Sequence, residues 1–187
     1  SSQALFPLQV YAIAPTVTSA TALPSFADLD AGHSVTIKLF TSAAVTVSGG
    51  QPTLTLDDGG SASYDAVHSN SNTLVFTYTV AAGENAANLA VSGLDLHGAH
   101  IRDALGNDLN ASGADATFTG LRIDTAAPTV LSATAAPATG AAHVGDSVAI
   151  MLALSEAVTV VGAPTLGLSN GGTANYDAAH STATSLV

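Results

Sequence analysis

The densest group of oxygen-bearing side chains is the run Ile101-Arg102-Asp103-Ala104-Leu105-Gly106-Asn107-Asp108. Hard cations such as Ca²⁺ take oxygen ligands at about 2.3–2.6 Å, and a glycine-containing loop can turn several oxygens inward. Asp124, just ahead of Thr125-Ala126-Ala127-Pro128, would add a carboxylate at a domain junction. Asp103, Asn107, Asp108 and Asp124 are therefore the expected metal ligands, with calcium as the cofactor, although their spacing is not that of an EF-hand. The competing reading is an Asx turn in which Asp103 and Asn107 bond the local backbone and Gly106 turns left-handed.

Other chemistry is less promising. Asp28 and Asp30 form a second acidic pair, expected as solvated loop carboxylates. Six histidines invite a metal or catalytic reading. His68 and His180, however, sit in the same Tyr-Asp-Ala-x-His-Ser context, which points to a local structural role. His97 and His100 are too weakly arranged for zinc. No Gly-x-Ser-x-Gly elbow and no glycine-rich phosphate loop opening a helix is present, so no enzyme is expected.

The elements that would hold these residues come in copies. APTVTSATALP from Ala14 returns as APTVLSATAAP from Ala127, and GHSVTIKLFTSAAVTV from Gly32 as GDSVAIMLALSEAVTV from Gly145. PTLTLDDGGSASYDAVHS from Pro52 returns as PTLGLSNGGTANYDAAHS from Pro164. Three segments follow: residues 1–13 as the closing strand or leader of a preceding unit, 14–124 as one complete repeat, and 125–187 as the N-terminal part of a second. Leu8 and Val10 align with Leu121 and Ile123, and Ser185-Leu186-Val187 with Thr73-Leu74-Val75. The expectation is a stretch of a longer array. The alternative is half-domains completed by strand exchange between molecules, which would build a filament or sheet.

Each copy reads as β. Val35, Ile37 and Leu39 alternate, as do Leu74, Phe76, Tyr78 and Val80, which predicts half-buried strands. Asn88–Leu94 and Ala116–Ile123 predict two more strands, and Ser25–Leu29 at most one helical turn. Asp58-Gly59, Asn170-Gly171 and Ala82-Gly83 mark tight turns. About seven strands per repeat indicate an all-β, immunoglobulin-like β-sandwich in tandem, one complete and one partial.

Composition narrows the partners. Three Lys and Arg face fourteen Asp and Glu, a net charge of -11, so nucleic acid and anionic membrane surfaces are disfavoured. No apolar run approaches the roughly 18 residues of a spanning helix, and 5% aromatics leave none of the girdles of a membrane barrel. Cysteine is absent, so disulfides and thiolate chemistry are too.

The GDSVAIMLALSEAVTV, PTLTL, TLVFTYTVAAGE, IRDALGND and LRIDTAAPTV segments together resemble the tandem bacterial immunoglobulin-like repeats of large biofilm-associated and RTX-type surface adhesins. The resemblance covers nearly the whole chain after residue 7. Two departures stand out: Ser42-Ala43-Ala44 replaces the acidic Ser155-Glu156-Ala157, and Gly32-His33 replaces Gly145-Asp146. What the resemblance implies is a secreted, extracellular cell-surface stalk or spacer, stiffened by calcium, that carries an adhesive part whose target the repeats do not name. Its partners would be neighbouring repeats of the same or identical chains, with no membrane insertion. A non-catalytic accessory module of a secreted enzyme is the further alternative.

Overall fold

The computed structural model describes residues 13–187. The closing-strand or leader expectation for residues 1–13 lies outside these described residues except for Ile13. The chain divides into two compact units, the first ending at Ala126 and the second running Ala127–Val187. Both are all-β, with no helix among the described residues.

The first unit is organised around one seven-stranded sheet. Its members are β1 (Val17–Leu23), β3 (Ser34–Thr41), β5 (Thr53–Leu56), β6 (Ser61–Tyr64), β7 (Thr73–Thr79), β9 (Ala90–Asp95) and β11 (Ala116–Thr117), in the order β1-β3-β7-β6-β5-β9-β11. Two small sheets complete the unit. One pairs β4 (Thr46–Ser48) with β10 (His100–Arg102). The other sets β12 (Leu121–Asp124) between β2 (Ala27–Leu29) and β8 (Asn85–Ala86). This arrangement is consistent with a β-sandwich.

Alternation explains which residues meet. Val35, Ile37 and Leu39 of β3 and Leu74, Phe76 and Tyr78 of β7 are fully or almost fully buried in one core with Leu89, Leu121 and Ile123. Side chains two apart on a strand share a face, so a single apolar alternation supplies each strand's share of the core. Tyr64 meets Phe76 edge-on, ring centres 5.6 Å apart, a favoured aromatic geometry.

Two sequence expectations are corrected. Ser25–Leu29 forms no helical turn, because Ala27–Leu29 pairs in parallel with β12 as a strand. Ala116–Ile123 is not one closing strand but β11 and β12, broken at Gly120, whose φ of 89° leaves the ladder.

In the second unit β13 (Val130–Ala136), β14 (Ala149–Leu154) and β17 (Ser185–Leu186) make one sheet, and β15 (Thr165–Gly167) pairs with β16 (Thr173–Asn175). The register repeats residue for residue. Ala22 pairs with Ile37 and Ala135 with Ile150; Leu54 pairs with Ala62 and Leu166 with Ala174. Even the irregularity between Val17 and Ser19 recurs between Val130 and Ser132.

Candidate functional site

The loop after β10 follows from its own residue types. The Asp103 Oδ1 oxygen accepts the backbone N–H of Leu105 and of Asn107, both at 2.9 Å, and Oδ2 accepts the Asn107 side-chain amide at 2.8 Å. Gly106 takes φ 86°, a conformation that costs glycine least. The Asn107 amide beside it holds the Asp103 carboxyl below the usual carboxylate range, since hydrogen bonds to the charged form favour it.

The other two expected ligands are spoken for by arginines. Asp108 accepts from Arg102 Nε at 2.7 Å, which lowers its carboxyl and raises the guanidinium. Arg122 spans Asp28 at 2.6 Å and Asp124, and Asp124 also accepts the Ala126 N–H at 3.0 Å. The structure thus brings Asp103 and Asn107 together and gives Asp108 and Asp124 separate cationic partners. Both Asp103 carboxylate oxygens face N–H donors, so the loop is closed by its own bonds. As folded, this donor set does not make a cation cage, and among the described residues no three His, Asp or Glu side chains converge as one. Asp28 is solvent-exposed as expected but lies in strand β2 and not in a loop, facing Arg122.

The repeated histidine motif forms the same lock twice. Asp65 Oδ1 accepts the Val67 and His68 N–H groups at 3.0 and 3.1 Å, while Oδ2 meets His68 Nδ1 at 2.6 Å. Ser69 Oγ donates to the Asp65 carbonyl at 2.7 Å and accepts the Val75 N–H at 2.8 Å, which ties the turn to β7. In the second unit Asp177 meets His180 Nδ1 at 2.7 Å, and Ser181 accepts from Val187 at 2.9 Å. The histidine bond is the first cause lowering the carboxyl of Asp65, and likewise of Asp177.

One polar cluster escaped sequence reasoning. The Tyr78 hydroxyl lies 2.6 Å from both Asp58 Oδ2 and Glu84 Oε2, and Glu84 also accepts the Ala81 N–H at 2.6 Å. Burial first, then the two carboxylates, push the phenol far above its usual range. The available signal was a tyrosine on a core-facing alternation, because a buried hydroxyl needs a partner. These groups fix turns and strand ends. No protein-family model, curated protein or solved structure matches this chain.

Proposed function

We propose that this chain is a spacer segment of an extracellular bacterial surface protein, built of immunoglobulin-like β-sandwich repeats in tandem and without catalytic activity of its own. The observation that carries the reading is the reuse of one architecture. Both units share strand register, turn bonds and the Asp-x-x-His-Ser lock, and these use up polar side chains in holding loops still. Stacking many copies of one unit gives length, and Pro15 and Pro128 restrict the chain where each copy begins by fixing φ. The net charge of -11 on a chain with few charged groups suits a soluble, weakly adhesive shaft.

The test has two arms. Antibody to this chain should label intact cells of the source bacterium without permeabilisation. Pulling on the surface protein should give regularly spaced unfolding peaks, each releasing about 3.3–3.6 Å per unfolded residue. Labelling only after permeabilisation, or extension without periodic peaks, would overturn the reading.

A second reading, a filament or sheet subunit formed by strand exchange, is favoured by one observation. The second unit carries an apolar cleft bordered by Leu152, Leu166 and Leu186. Sedimentation that shifts steadily to larger species with concentration would support it, and a monomer at all concentrations would not.

A further inference from the structure

The tight turn between β15 and β16 repeats the one between β5 and β6, with one side chain changed. The first reads Asp58-Gly59-Gly60 and the second Asn170-Gly171-Gly172. Their bonds are the same. Asp58 Oδ1 accepts the Gly60 N–H at 2.9 Å, and Asn170 Oδ1 accepts the Gly172 N–H at 2.9 Å. The Leu56 N–H donates to the Gly60 carbonyl at 3.0 Å, and the Leu168 N–H to the Gly172 carbonyl at 2.9 Å. Gly59 and Gly171 take φ 91° and 84°. A carboxylate and a carboxamide fit one turn, because the turn uses only the oxygen they share.

That one change carries chemistry. An asparagine Cγ lies within reach of the backbone nitrogen of the residue that follows it, and closing that contact makes a five-membered imide ring. A side chain on the following residue obstructs the closure, and glycine has none. Among the asparagines of this chain, Asn170 alone precedes glycine. A Cβ placed on Gly171 would meet nothing within 4 Å, so the space beside that backbone is open. The bond to be released runs from the Gly171 N–H to the Leu168 carbonyl at 3.0 Å. Asn70 and Asn110 are internal controls. Each is exposed, as Asn170 is, and each accepts the N–H two residues on at 3.0 Å, but Ser71 and Ala111 follow them.

We propose that Asn170 is a self-modifying site, where the folded protein converts asparagine into aspartate or its β-linked isomer with water as the only co-reactant. The Gly171 nitrogen gives up its proton and attacks Asn170 Cγ. A C–N bond forms there, the bond from Cγ to the side-chain nitrogen breaks, and that nitrogen leaves as ammonia with the proton. Water then opens the ring. Cleavage between Cγ and the Gly171 nitrogen restores the ordinary backbone and leaves a carboxylate, the side chain that the first unit carries as Asp58. Cleavage at the main-chain carbonyl leaves the chain running through Cγ, one methylene longer. The first product keeps the turn. The second loses the side-chain bond to Gly172 and displaces the Leu168–Gly172 pairing. The inference rests on the turn chemistry alone and is independent of the spacer reading.

The full chain is aged at neutral and at mildly alkaline pH and digested, and each asparagine-bearing peptide is weighed by mass spectrometry. Because glycine leaves the closure unhindered, Asn170 should lose its amide on the order of tenfold faster than Asn70 or Asn110, and faster at the higher pH. Gly171→Ala should slow it to the rate of those controls. Asn170→Asp, the ordinary product, should keep the amide exchange of Leu168 and Gly172 as in the unaged chain. The β-linked product, separated by chromatography, should lose protection at both. Amide loss at Asn170 no faster than at Asn70 and Asn110 would overturn the proposal, and that comparison lies within one chain whether or not Gly171→Ala folds. So would an undiminished rate in folded Gly171→Ala. Amide loss confined to the urea-unfolded chain would overturn it too, since the folded turn would then block the attack.

Discussion

The two units are nearly the same text folded to different depths. In the first, β3 alternates into a core where Ile37 and Leu39 are fully buried; in the second, β14 presents Ile150 and Leu152 only half-buried. Hairpins, turn glycines and the His–Asp locks are equally formed in both. Local structure therefore follows from local sequence, whereas burial depends on a second layer. Turn chemistry is satisfied within a few residues, but hydrophobic stabilisation scales with apolar area removed from water.

The largest effect that would sharpen this comparison is core truncation. Leu54→Ala should destabilise the first unit by about 2–5 kcal/mol, the usual cost of a buried leucine. Leu166→Ala, at the equivalent exposed place, should cost the second unit less than about 1 kcal/mol. Urea melts followed by unit-resolved NMR signals compare the two directly, and equal costs would break the distinction.

Next comes the buried tyrosine. Tyr78→Phe removes a hydroxyl that donates toward Asp58 and Glu84. Hydrogen bonds to charged groups contribute about 1.5–3 kcal/mol, so the melting point of the first unit should fall by roughly 6–12 °C. The pH sign is definite. A tyrosine raised above its unfolded value contributes stability that is complete below about pH 10 and is lost progressively as pH rises from there toward the higher folded value. The wild-type chain should weaken above about pH 10 more steeply than the Phe variant. Parallel curves would show that the phenol is not held as the geometry indicates.

Glycine tests the comparison one step lower. A Cβ on Gly60 would lie 2.7 Å from Tyr78 Cε2 and 2.9 Å from Glu84 Oε1. On the equivalent Gly172 the nearest atom is Asn170 Oδ1 at 3.0 Å. Gly60→Ala should cost about 1–3 kcal/mol through overpacking, and Gly172→Ala well under half as much. The measurement is again the melt of each unit in its own variant.

Much of this was legible beforehand, for a physical reason that can be located. The alternation of Val35, Ile37 and Leu39 predicts both strand and inward face, because period two leaves no other way to bury three such residues together. The Asp103–Asn107 turn was equally readable, since short polar side chains bond their own backbone and need no distant partner. What stayed hidden was non-local. Nothing near Asp58 in sequence announces Tyr78, and nothing near Asp28 announces Arg122, 94 residues on. The demand for glycine at position 120 is non-local too: a Cβ there would meet the ring of Phe26 at 2.5 Å.

A smaller effect treats the units alike. The carboxyls of Asp65 and Asp177 are held below their ordinary value by histidine bonds. A lowered carboxyl contributes stability above the unfolded value near 4 and loses it as pH falls through the folded value. Both groups sit at exposed turns, where ion pairs contribute little. Asp65→Asn and Asp177→Asn should therefore flatten acid unfolding only below about pH 4, by similar small amounts. A large loss in one unit alone would show that its lock reaches the core.

The smallest expected effect concerns calcium, and its size follows from who already occupies the oxygens. Asp103 accepts three N–H groups, Asp108 faces Arg102, and Asp124 faces Arg122. A calcium ion here would compete with these N–H donors and two arginines for the carboxylates, and the loop would have to turn carbonyl or water oxygens inward to reach six to eight ligands. Ligand binding raises stability by about 2.7 kcal/mol at a hundredfold excess over Kd, so any site of useful affinity would move the melting point by several degrees. With millimolar Ca²⁺ against EDTA, the first unit should instead shift by less than about 1 °C. Asp103→Ala should lower its melting point equally in both buffers, through loss of the turn. A calcium-dependent shift that Asp103→Ala abolishes would mean that the loop reopens around the ion, and the first unit would then differ from the second in chemistry as well as in burial.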